Sequence, residues 1–196
     1  MTSSENRQPA AREPAIPPGM NELHLERTTT PTGPMLLVTD DAGNGRAADW
    51  ADHEDRMLLL LRRYHGADSI RLRHRESPSP AGRALEAYFG GELAAIDTVA
   101  VHTGGTAFQR EVWAGLRRIP VGRTISYGAL AASLGRPKAM RAVGLANGSS
   151  PISIIVPCHR VIGADASLTG YGGGLERKRW LLAHEGANVP PDKIRR

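Results

Sequence analysis

The first half of the chain has the pattern of a small mixed α/β layer. Apolar residues alternate or run together in short segments, as in strands, and recur at helical spacing in two segments that end at glycine. The predicted elements, in chain order, are strand, strand, helix, strand and helix, over residues 24–28, 35–39, 54–66, 68–76 and 79–91. A Pro-Gly turn joins the first two strands and a second turn follows at Asn44-Gly45, so we expect a hairpin.

The second half opens, after a connector at 98–105, with a predicted helix over residues 106–120. A threonine that can cap a helix precedes the run, and a proline ends it. Phe108, Val112 and Leu116 recur at helical spacing within the run. We therefore expect these three side chains in the core.

The next segment, 125–148, predicts two short helices joined by a tight Gly-Arg-Pro turn. Ser126 can cap the first helix, and Pro137 is expected at the start of the second. A helix-turn-helix describes this pattern most simply. A plain helical hairpin inside a core is the alternative that the pattern leaves open.

The chain has one cysteine, Cys158, which follows a short apolar run at 152–156 that predicts a buried strand. Pro157 cannot donate to a continuing sheet, so we expect the chain to leave the sheet at Cys158. Such a cysteine is either an inert core residue or a nucleophile that the adjacent imidazole, Arg160 or backbone N–H groups activate. The local residues leave both interpretations open.

The C-terminal stretch "LTGYGGGLERKRWLLAHEG" predicts a glycine-rich loop followed by a helix. Leu175, Leu181 and Leu182 are its expected core residues. The glycines predict a mobile loop whose backbone amides could approach a flat ligand. A simple flexible connector is the alternative.

Charge is distributed unevenly along the chain. Residues 1–100 hold 11 Lys and Arg against 15 Asp and Glu, whereas the remainder holds 14 against 5. Between 110 and 141 the only acidic side chain is Glu111, and seven are basic: Arg110, Arg117, Arg118, Arg123, Arg136, Lys138 and Arg141. This pattern favours contact with DNA phosphates, although a basic surface that only aids solubility is the alternative on charge alone.

The second helix of the predicted pair has few side chains that could probe base edges. Residues 139–148 are mostly Ala and Gly, whose small size permits close approach to the narrow minor groove. Arg141 shares a predicted helical face with Lys138 and can point at the duplex. Met140 and Val143 lie on another face, where we expect them to pack.

The composition excludes several classes of protein. A single cysteine permits no internal disulfide, and the scattered His24, His53, His65 and His74 lack metal-site spacing, so we expect no bound metal. No apolar run reaches about 18 residues, so we expect no membrane segment and a cytoplasmic protein. Residues 1–21, rich in Pro and polar residues, are expected to form a disordered tail.

Five segments, taken in order, closely resemble the O6-alkylguanine-DNA alkyltransferase family, also called methylated-DNA:protein-cysteine methyltransferases. They are "FQREVW", "IPVGRTISYGALA", "RPKAMRAVGLANG", "PISIIVPCHRVIG" and "LTGYGGGLERKRWLLAHEG", and they cover residues 108–186 without a gap. The resemblance over 22–100 is weak and rests on length and order. The resemblance as a whole implies an α/β protein with two domains. The N-terminal domain, at 22–102, would be ribonuclease H-like, and the C-terminal domain, at 103–187, would be mainly helical and winged-helix-like. A flexible tail at 188–196 would follow.

The resemblance implies direct repair of duplex DNA. An O6-alkylguanine would be flipped out through the minor groove and its alkyl group moved irreversibly to Cys158, so that each molecule reacts once and needs no cofactor. O4-alkylthymine is a further candidate substrate. By the same resemblance His159 activates the thiol through a water and Glu185 orients His159. Tyr127 would contact the flipped base, and Arg141 would fill the vacated stack.

The remaining residues that the resemblance implies fall into three groups. DNA contacts are expected from Arg136, Lys138, Ala139, Ala142 and Gly144. The base pocket is expected to comprise Tyr127, Val161, Tyr171, Gly172 and Gly173. In that pocket the Gly172 amide would meet O6, and the small Gly173 would leave room for the alkyl group. A structural link between the recognition helix and the active site would involve Asn147, Ser150 and Arg160.

One position departs from the family pattern. The family usually has Asn eight residues before the cysteine, where it braces that link, and this chain has Ser150 there, with Asn147 three positions away. A serine hydroxyl replaces only part of what an amide donor and acceptor can do. We expect transfer to be retained but slowed.

Two other functions are compatible with parts of this pattern. An alkyltransferase-like sensor would bind alkylated bases without removing the alkyl group, but such relatives characteristically lack the cysteine. A Cys-His hydrolase would leave the basic helix-turn-helix unexplained. We expect a monomer to suffice, and cooperative packing along DNA remains open.

Overall fold

The computed structural model describes residues 19–188. Nearly all of the predicted tails, at 1–21 and 188–196, lie outside this range. Within it the chain forms a four-stranded sheet, a two-stranded sheet and six α-helices. The protein is thus a mixed α/β structure, as the sequence predicts.

The four-stranded sheet lies in the first half of the chain. Its strands are β1 Asn21–Thr28, β2 Met35–Thr39, β3 Gly45–Trp50 and β4 Ile70–His74. They lie in the order β3-β2-β1-β4, with β4 parallel to β1 and the other pairs antiparallel. The three predicted strands are confirmed, but β3 was not predicted, because "GRAADW" offers small residues where strands usually show β-branched ones. The expected hairpin is therefore a three-stranded meander with β4 added at its edge.

Two helices pack on this sheet, α1 Glu54–His65 and α2 Pro80–Phe89. Both confirm the sequence prediction. Gly66 ends α1 with a φ of 91°, a conformation that a residue with a Cβ rarely adopts. Ser79 caps α2 by accepting a hydrogen bond from the Gly82 amide.

The second half contains four helices and a short two-stranded sheet. The helices are α3 Ala107–Arg117, α4 Tyr127–Ser133, α5 Met140–Gly148 and α6 Leu175–His184, and the parallel strands are β5 Ile125–Ser126 and β6 Val161–Ile162. Thr106 caps α3 in a reciprocal capping box with Gln109. Val112 and Leu116 are fully buried as expected, whereas Phe108 is only partly buried at the edge of the core.

The helix-turn-helix differs from its prediction at the second helix. Ser126 caps α4 as expected, but α5 begins at Met140, and Pro137 lies in the preceding turn, where the Ala139 amide donates to the Arg136 carbonyl. Lys138 is therefore outside the helix. Val143 is buried as expected, but Met140 is 51% exposed and was wrongly expected to pack.

One apolar cluster spans both halves of the chain. It contains Leu37 and Trp50 of the sheet, Trp113 of α3 and Leu181 of α6. Cys158 belongs to this cluster and is 6% exposed. The cysteine therefore lies where the sheet and the helices of the second half meet.

Candidate active site

Cys158 lies at the start of a single 3₁₀ turn, Cys158–Arg160. The prediction of a strand over 152–156 is wrong. Only Ile152 bridges to β3, through Ala48, and the chain then turns, with Ile154 at a φ of 69°. Burial of all five side chains explains the error, because a buried turn and a buried strand have the same apolar pattern.

Glu185, just after α6, is the centre of a buried hydrogen-bond network. Its carboxylate accepts from His159 Nε2 at 2.8 Å, from Arg160 Nε and Nη2 at 2.8 and 2.9 Å, and from the Tyr88 hydroxyl at 2.9 Å. Arg160 Nη1 donates to the Ile119 carbonyl at 2.6 Å. Burial would raise the pKa of Glu185, but the bonds from His159 and Arg160 outweigh it and hold this pKa well below its usual range. Glu185 is therefore ionised.

His159 is neutral in this setting and presents a basic nitrogen. Burial lowers the pKa of His159, against the opposing effect of Glu185. Because a carboxylate only accepts, Nε2 must be the protonated nitrogen, which leaves Nδ1 as the acceptor. Nδ1 is buried and has no hydrogen-bond partner within residues 19–188. The ring can therefore take a proton at Nδ1 while Glu185 stabilises the resulting charge.

The Cys158 thiol is held in its protonated form. Burial raises the pKa of Cys158 to about 11, and the positive charges of Lys178 and Arg56 oppose this. Arg160, predicted to favour the thiolate, is instead engaged with Glu185. Lys178 is fully buried and donates to the carbonyls of Val161 and Thr169, both at 2.7 Å, and burial lowers its own pKa to about 8.

A cavity of about 250 Å³ opens beside the thiol. Its lining comprises Arg56, Tyr127, Gly144, Asn147, Gly148, Ser153, Cys158, Gly170, Tyr171 and Gly172. Of the predicted pocket residues it thus includes Tyr127, Tyr171 and Gly172, whereas Val161 and Gly173 lie outside it. The Tyr171 hydroxyl is buried without a hydrogen-bond partner in the described part of the chain. The cavity therefore has both small and polar walls beside a nucleophile.

The glycine loop packs closely against the first half of the protein. A Cβ on Gly172 would lie 2.6 Å from the Arg56 guanidinium, and one on Gly173 would lie 2.4 Å from the Trp50 ring. Gly173 therefore lacks a side chain because of Trp50, which differs from the expected role of leaving room in the pocket. Gly174 has a φ of 91° as it leads into α6.

The basic surface lies on the helix-turn-helix. Arg141 and Lys138 are exposed, and so is Ala142, while Ala139 and Gly144 are partly exposed. Arg136 pairs with Glu111 at 3.0 Å and lies over the Phe108 ring, 5.6 Å from its centroid. Leu145, at 78% exposed, adds an apolar side chain to the outer face of α5. The Tyr127 ring lies behind this helix, 3.7 Å from a Cβ placed on Gly144.

The link between the recognition helix and the active site makes its side-chain hydrogen bonds at Ser149, next to the expected Ser150. Ser150 Oγ and Asn147 Oδ1 are buried and have no hydrogen-bond partner among the described residues. Ser149 makes the side-chain contacts instead, since its Oγ accepts from Gln109 Nε2 at 3.1 Å and its carbonyl accepts from the Tyr64 hydroxyl at 3.1 Å.

Sequence reasoning missed three residues that contact the predicted site: Arg56, Tyr88 and Lys178. The first two come from the first half of the chain, which shows no catalytic motif, so no local signal marks them. Lys178 lies in α6. Its position three residues after Leu175, an expected core residue, was the one available signal.

Neither a metal site nor a membrane span is found in residues 19–188. No group of three or more His, Cys, Asp or Glu there could hold a metal ion. No helix there has the length and apolar character to cross a bilayer.

Comparison with known proteins gives consistent matches. Residues 107–187 match the family described as "6-O-methylguanine DNA methyltransferase, DNA binding domain". The methylated-DNA–protein-cysteine methyltransferase of Salmonella typhimurium is 52% identical over 167 residues, 85% of this chain and 98% of that protein. The protein of the same name from Mycobacterium tuberculosis is 44% identical over 170 residues, 87% of this chain and 96% of that protein. A crystal structure of Mycobacterium tuberculosis OGT in complex with DNA has a TM-score of 0.66 at 39% identity, covering 83% of this chain and 92% of that one.

Proposed function

The chain belongs to the methylated-DNA–protein-cysteine methyltransferase family, and we propose that Cys158 is the acceptor in its direct repair of alkylated DNA. The observation that carries the proposal is that the chain's one cysteine lines a cavity of about 250 Å³ and is followed by a histidine bonded to a buried carboxylate. The curated relatives are named as transferases, which favours transfer over a lesion sensor or a hydrolase.

The proposed reaction is one in-line displacement. The thiol proton passes through a water to His159 Nδ1, and the thiolate sulfur attacks the alkyl carbon. The new S–C bond forms as the O6–C bond breaks, and the electron pair stays on the guanine anion. The anion takes up one proton from solvent, and the His159 imidazolium returns the thiol proton to solvent. Glu185 stabilises the imidazolium that forms. The thioether is stable, so each molecule acts once and no cofactor takes part.

The proposed substrate geometry places a flipped guanine in the cavity. Tyr127 and Tyr171 form walls on which a base can stack, and the Gly172 amide is proposed to meet O6. Asn147 and Tyr171 each have a buried polar atom without a partner among residues 19–188, which suits hydrogen bonding to a base. Gly173 lies against the Tyr171 ring, 2.9 Å from an added Cβ, and Val161 is buried outside the cavity lining.

DNA is the partner, and we propose that it binds along α5 through the minor groove. The exposed part of α5 includes the small Ala142 and the partly exposed Gly144, and Arg141 is exposed beside them. Arg141 would enter the vacated stack, while Lys138 and Arg136 contact phosphates. A monomer suffices for this geometry.

The finer fold assignment is also a proposal. The sheet order β3-β2-β1-β4, with β4 parallel to β1, supports a ribonuclease H-like domain at 22–102. The helix-turn-helix beside the small β5-β6 sheet supports a winged-helix-like domain at 103–187.

The proposal is tested with a duplex that carries one O6-methylguanine. We expect the protein to remove no more than one methyl group per molecule, and Cys158→Ala to bind the same duplex without removing any. Repeated turnover by the wild type, or removal by Cys158→Ala, would contradict it.

A further inference from the structure

Two side chains of helix α1, in the first half of the chain, contact the segment that leads from α5 towards the active-site turn. Arg56 Nη2 donates to the Gly148 carbonyl at 2.9 Å, and the Tyr64 hydroxyl donates to the Ser149 carbonyl at 3.1 Å. Gln109 Nε2 joins the two contacts, since it donates to both Tyr64 and Ser149. The end of α5 is thus tied to an element outside the helix-turn-helix.

Both terminal nitrogens of the Arg56 guanidinium donate hydrogen bonds. Nη1 pairs with Asp49 of β3, whose side chain is 1% exposed, while Nη2 holds the last residue of α5. A cation at this carbonyl also lies at the negative end of the α5 helix dipole. Arg56 is therefore fixed by the sheet on one side and fixes the recognition helix on the other.

The same guanidinium forms part of the cavity wall, next to the glycine loop. It lies so close to Gly172 that any side chain there would clash, at 2.6 Å from an added Cβ. It also lines the cavity together with Cys158. Three parts of the site therefore meet at Arg56: the end of α5, the glycine loop and the approach to the thiol.

The usual brace of this link is weak in this chain. Ser150 stands where the family usually has Asn, and its hydroxyl is buried without a hydrogen-bond partner among the described residues. The side-chain contacts to the segment come instead from α1 and α3, at Ser149 and Gly148. Strand β3 holds the residue after Ser150, since the Ala48 amide donates to the Pro151 carbonyl at 2.9 Å.

We propose that Arg56 is a positioning residue for alkyl transfer, which replaces the missing brace by holding the end of α5 and the glycine loop at their working separation across the cavity. The inference rests on the proposed function of Cys158 and extends it to the first half of the chain. Arg56 acts through the groups that it holds and forms no bond to the alkyl group.

The charge of Arg56 adds a second, separable effect. The charged or titratable groups that act on the thiol are Arg56 from α1, Asp49 from β3, Lys178 from α6 and Tyr171 from the glycine loop. Arg56 and Lys178 favour the thiolate, whereas Asp49 opposes it. Removing the Arg56 charge should therefore raise the pH at which transfer becomes fast.

The test compares Arg56→Gln and Arg56→Lys with Arg63→Gln, a matched change at an exposed arginine of the same helix. Single-turnover rates with O6-methylguanine duplex, measured against protein concentration, separate the saturating rate from DNA affinity. We expect Arg56→Gln to lower the saturating rate by about 10- to 100-fold, because a charged hydrogen bond is lost and a small displacement of the cavity wall is costly. Its pH–rate profile should move to higher pH. Arg56→Lys should restore the pH profile but not the full rate, because an ammonium cannot span both acceptors in the same geometry.

Two measurements separate bracing from a loss of stability. Ser150→Asn should speed transfer more in the Arg56→Gln background than in the wild type, since in that background the link has lost its contact with Arg56. Hydrogen exchange at 148–150 and 170–174 should be faster in Arg56→Gln than in Arg63→Gln, whether or not the protein transfers alkyl groups.

The outcomes distinguish the two proposals. Wild-type protein that transfers nothing overturns the proposed function, and hydrogen exchange then decides whether Arg56 is still the brace. Equal exchange in Arg56→Gln and Arg63→Gln overturns the bracing role. Equal saturating rates and pH profiles in those two variants overturn the role of Arg56 in transfer.

Discussion

The two sides of Cys158 are built in opposite ways. On the side of Glu185, each carboxylate oxygen accepts hydrogen bonds, and His159, Arg160 and Tyr88 converge on it in a fully buried cluster. On the side of the cavity, Asn147 and Tyr171 line the wall and have buried polar atoms without a partner among the described residues.

This difference separates the groups that activate the thiol from the groups that receive the substrate. The Glu185 network holds one geometry before any DNA arrives, so the base at His159 is ready. The cavity side has unsatisfied polar atoms whose cost a bound guanine can offset.

Glu185→Gln should be the most damaging change. It removes the charge that compensates the buried Arg160 and leaves that guanidinium with a neutral partner, which costs about 3–5 kcal/mol of unfolding free energy. Chemical denaturation measures this loss. Glu176→Gln is the control, because Glu176 lies on the same segment with its side chain 81% exposed. A loss of unfolding free energy below about 1 kcal/mol, which is typical of an exposed ion pair, would show that the buried Glu185 network does not stabilise the fold in this way.

Acidification should weaken the same network. The pKa of folded Glu185 lies below its ordinary value of 4.5, so the unfolded chain binds its proton first as the pH falls. The stability that Glu185 contributes is therefore complete above about pH 4.5 and is lost as the pH falls below it. Denaturation of wild type and Glu185→Gln between pH 7 and pH 3 should show the two free energies converging. A constant difference across that range would contradict the assignment.

In the glycine loop next to the cavity, Gly173→Ala should cost less. The new Cβ would lie 2.4 Å from the buried Trp50 ring, so the loop must shift, at about 1–3 kcal/mol for an overpacked site. Gly170→Ala is the control for stability, since nothing lies within 4 Å of its added Cβ. Denaturation and transfer rates measure both variants. Equal stability of the two would show that the loop does not depend on Trp50.

The smallest effect is expected from Ser150→Asn. The amide adds the bonds that a serine cannot make, and one neutral hydrogen bond should speed transfer by about two- to tenfold. Single-turnover transfer from O6-methylguanine duplex measures it. Equal rates would show that this chain loses nothing by having serine at this position.

The sequence predicted the site residues of the second half of the chain better than those of the first half. His159 and Glu185 were assigned because the resemblance is carried by local motifs, and the structure brings these two residues together at 2.8 Å. The residues from the first half could not be assigned in this way. Arg56 lies 92 positions from Gly148, and Tyr88 lies 97 from Glu185, so only the folded chain makes these pairs visible.

Prediction of the fold was limited in the same way, because only elements with a local sequence pattern were predicted correctly. Helical periodicity gave α1, α2 and α3 with nearly correct ends, because a repeating apolar face is a signal that each helix carries by itself. The strand β3 and the turn at 152–156 were missed, since both depend on burial between layers rather than on their own pattern. Ile152 is held by its bridge to Ala48 of β3, which no local rule anticipates.

The most direct test of Cys158 as the alkyl acceptor is the mass of the intact protein after reaction with duplex DNA that contains O6-methylguanine, followed by mapping of the modified peptide. We predict a gain of one methyl group per chain, located on Cys158, and no gain with unmodified duplex. An unchanged mass with DNA still bound, or a methyl group on any other residue, would contradict the assignment of Cys158 as the acceptor.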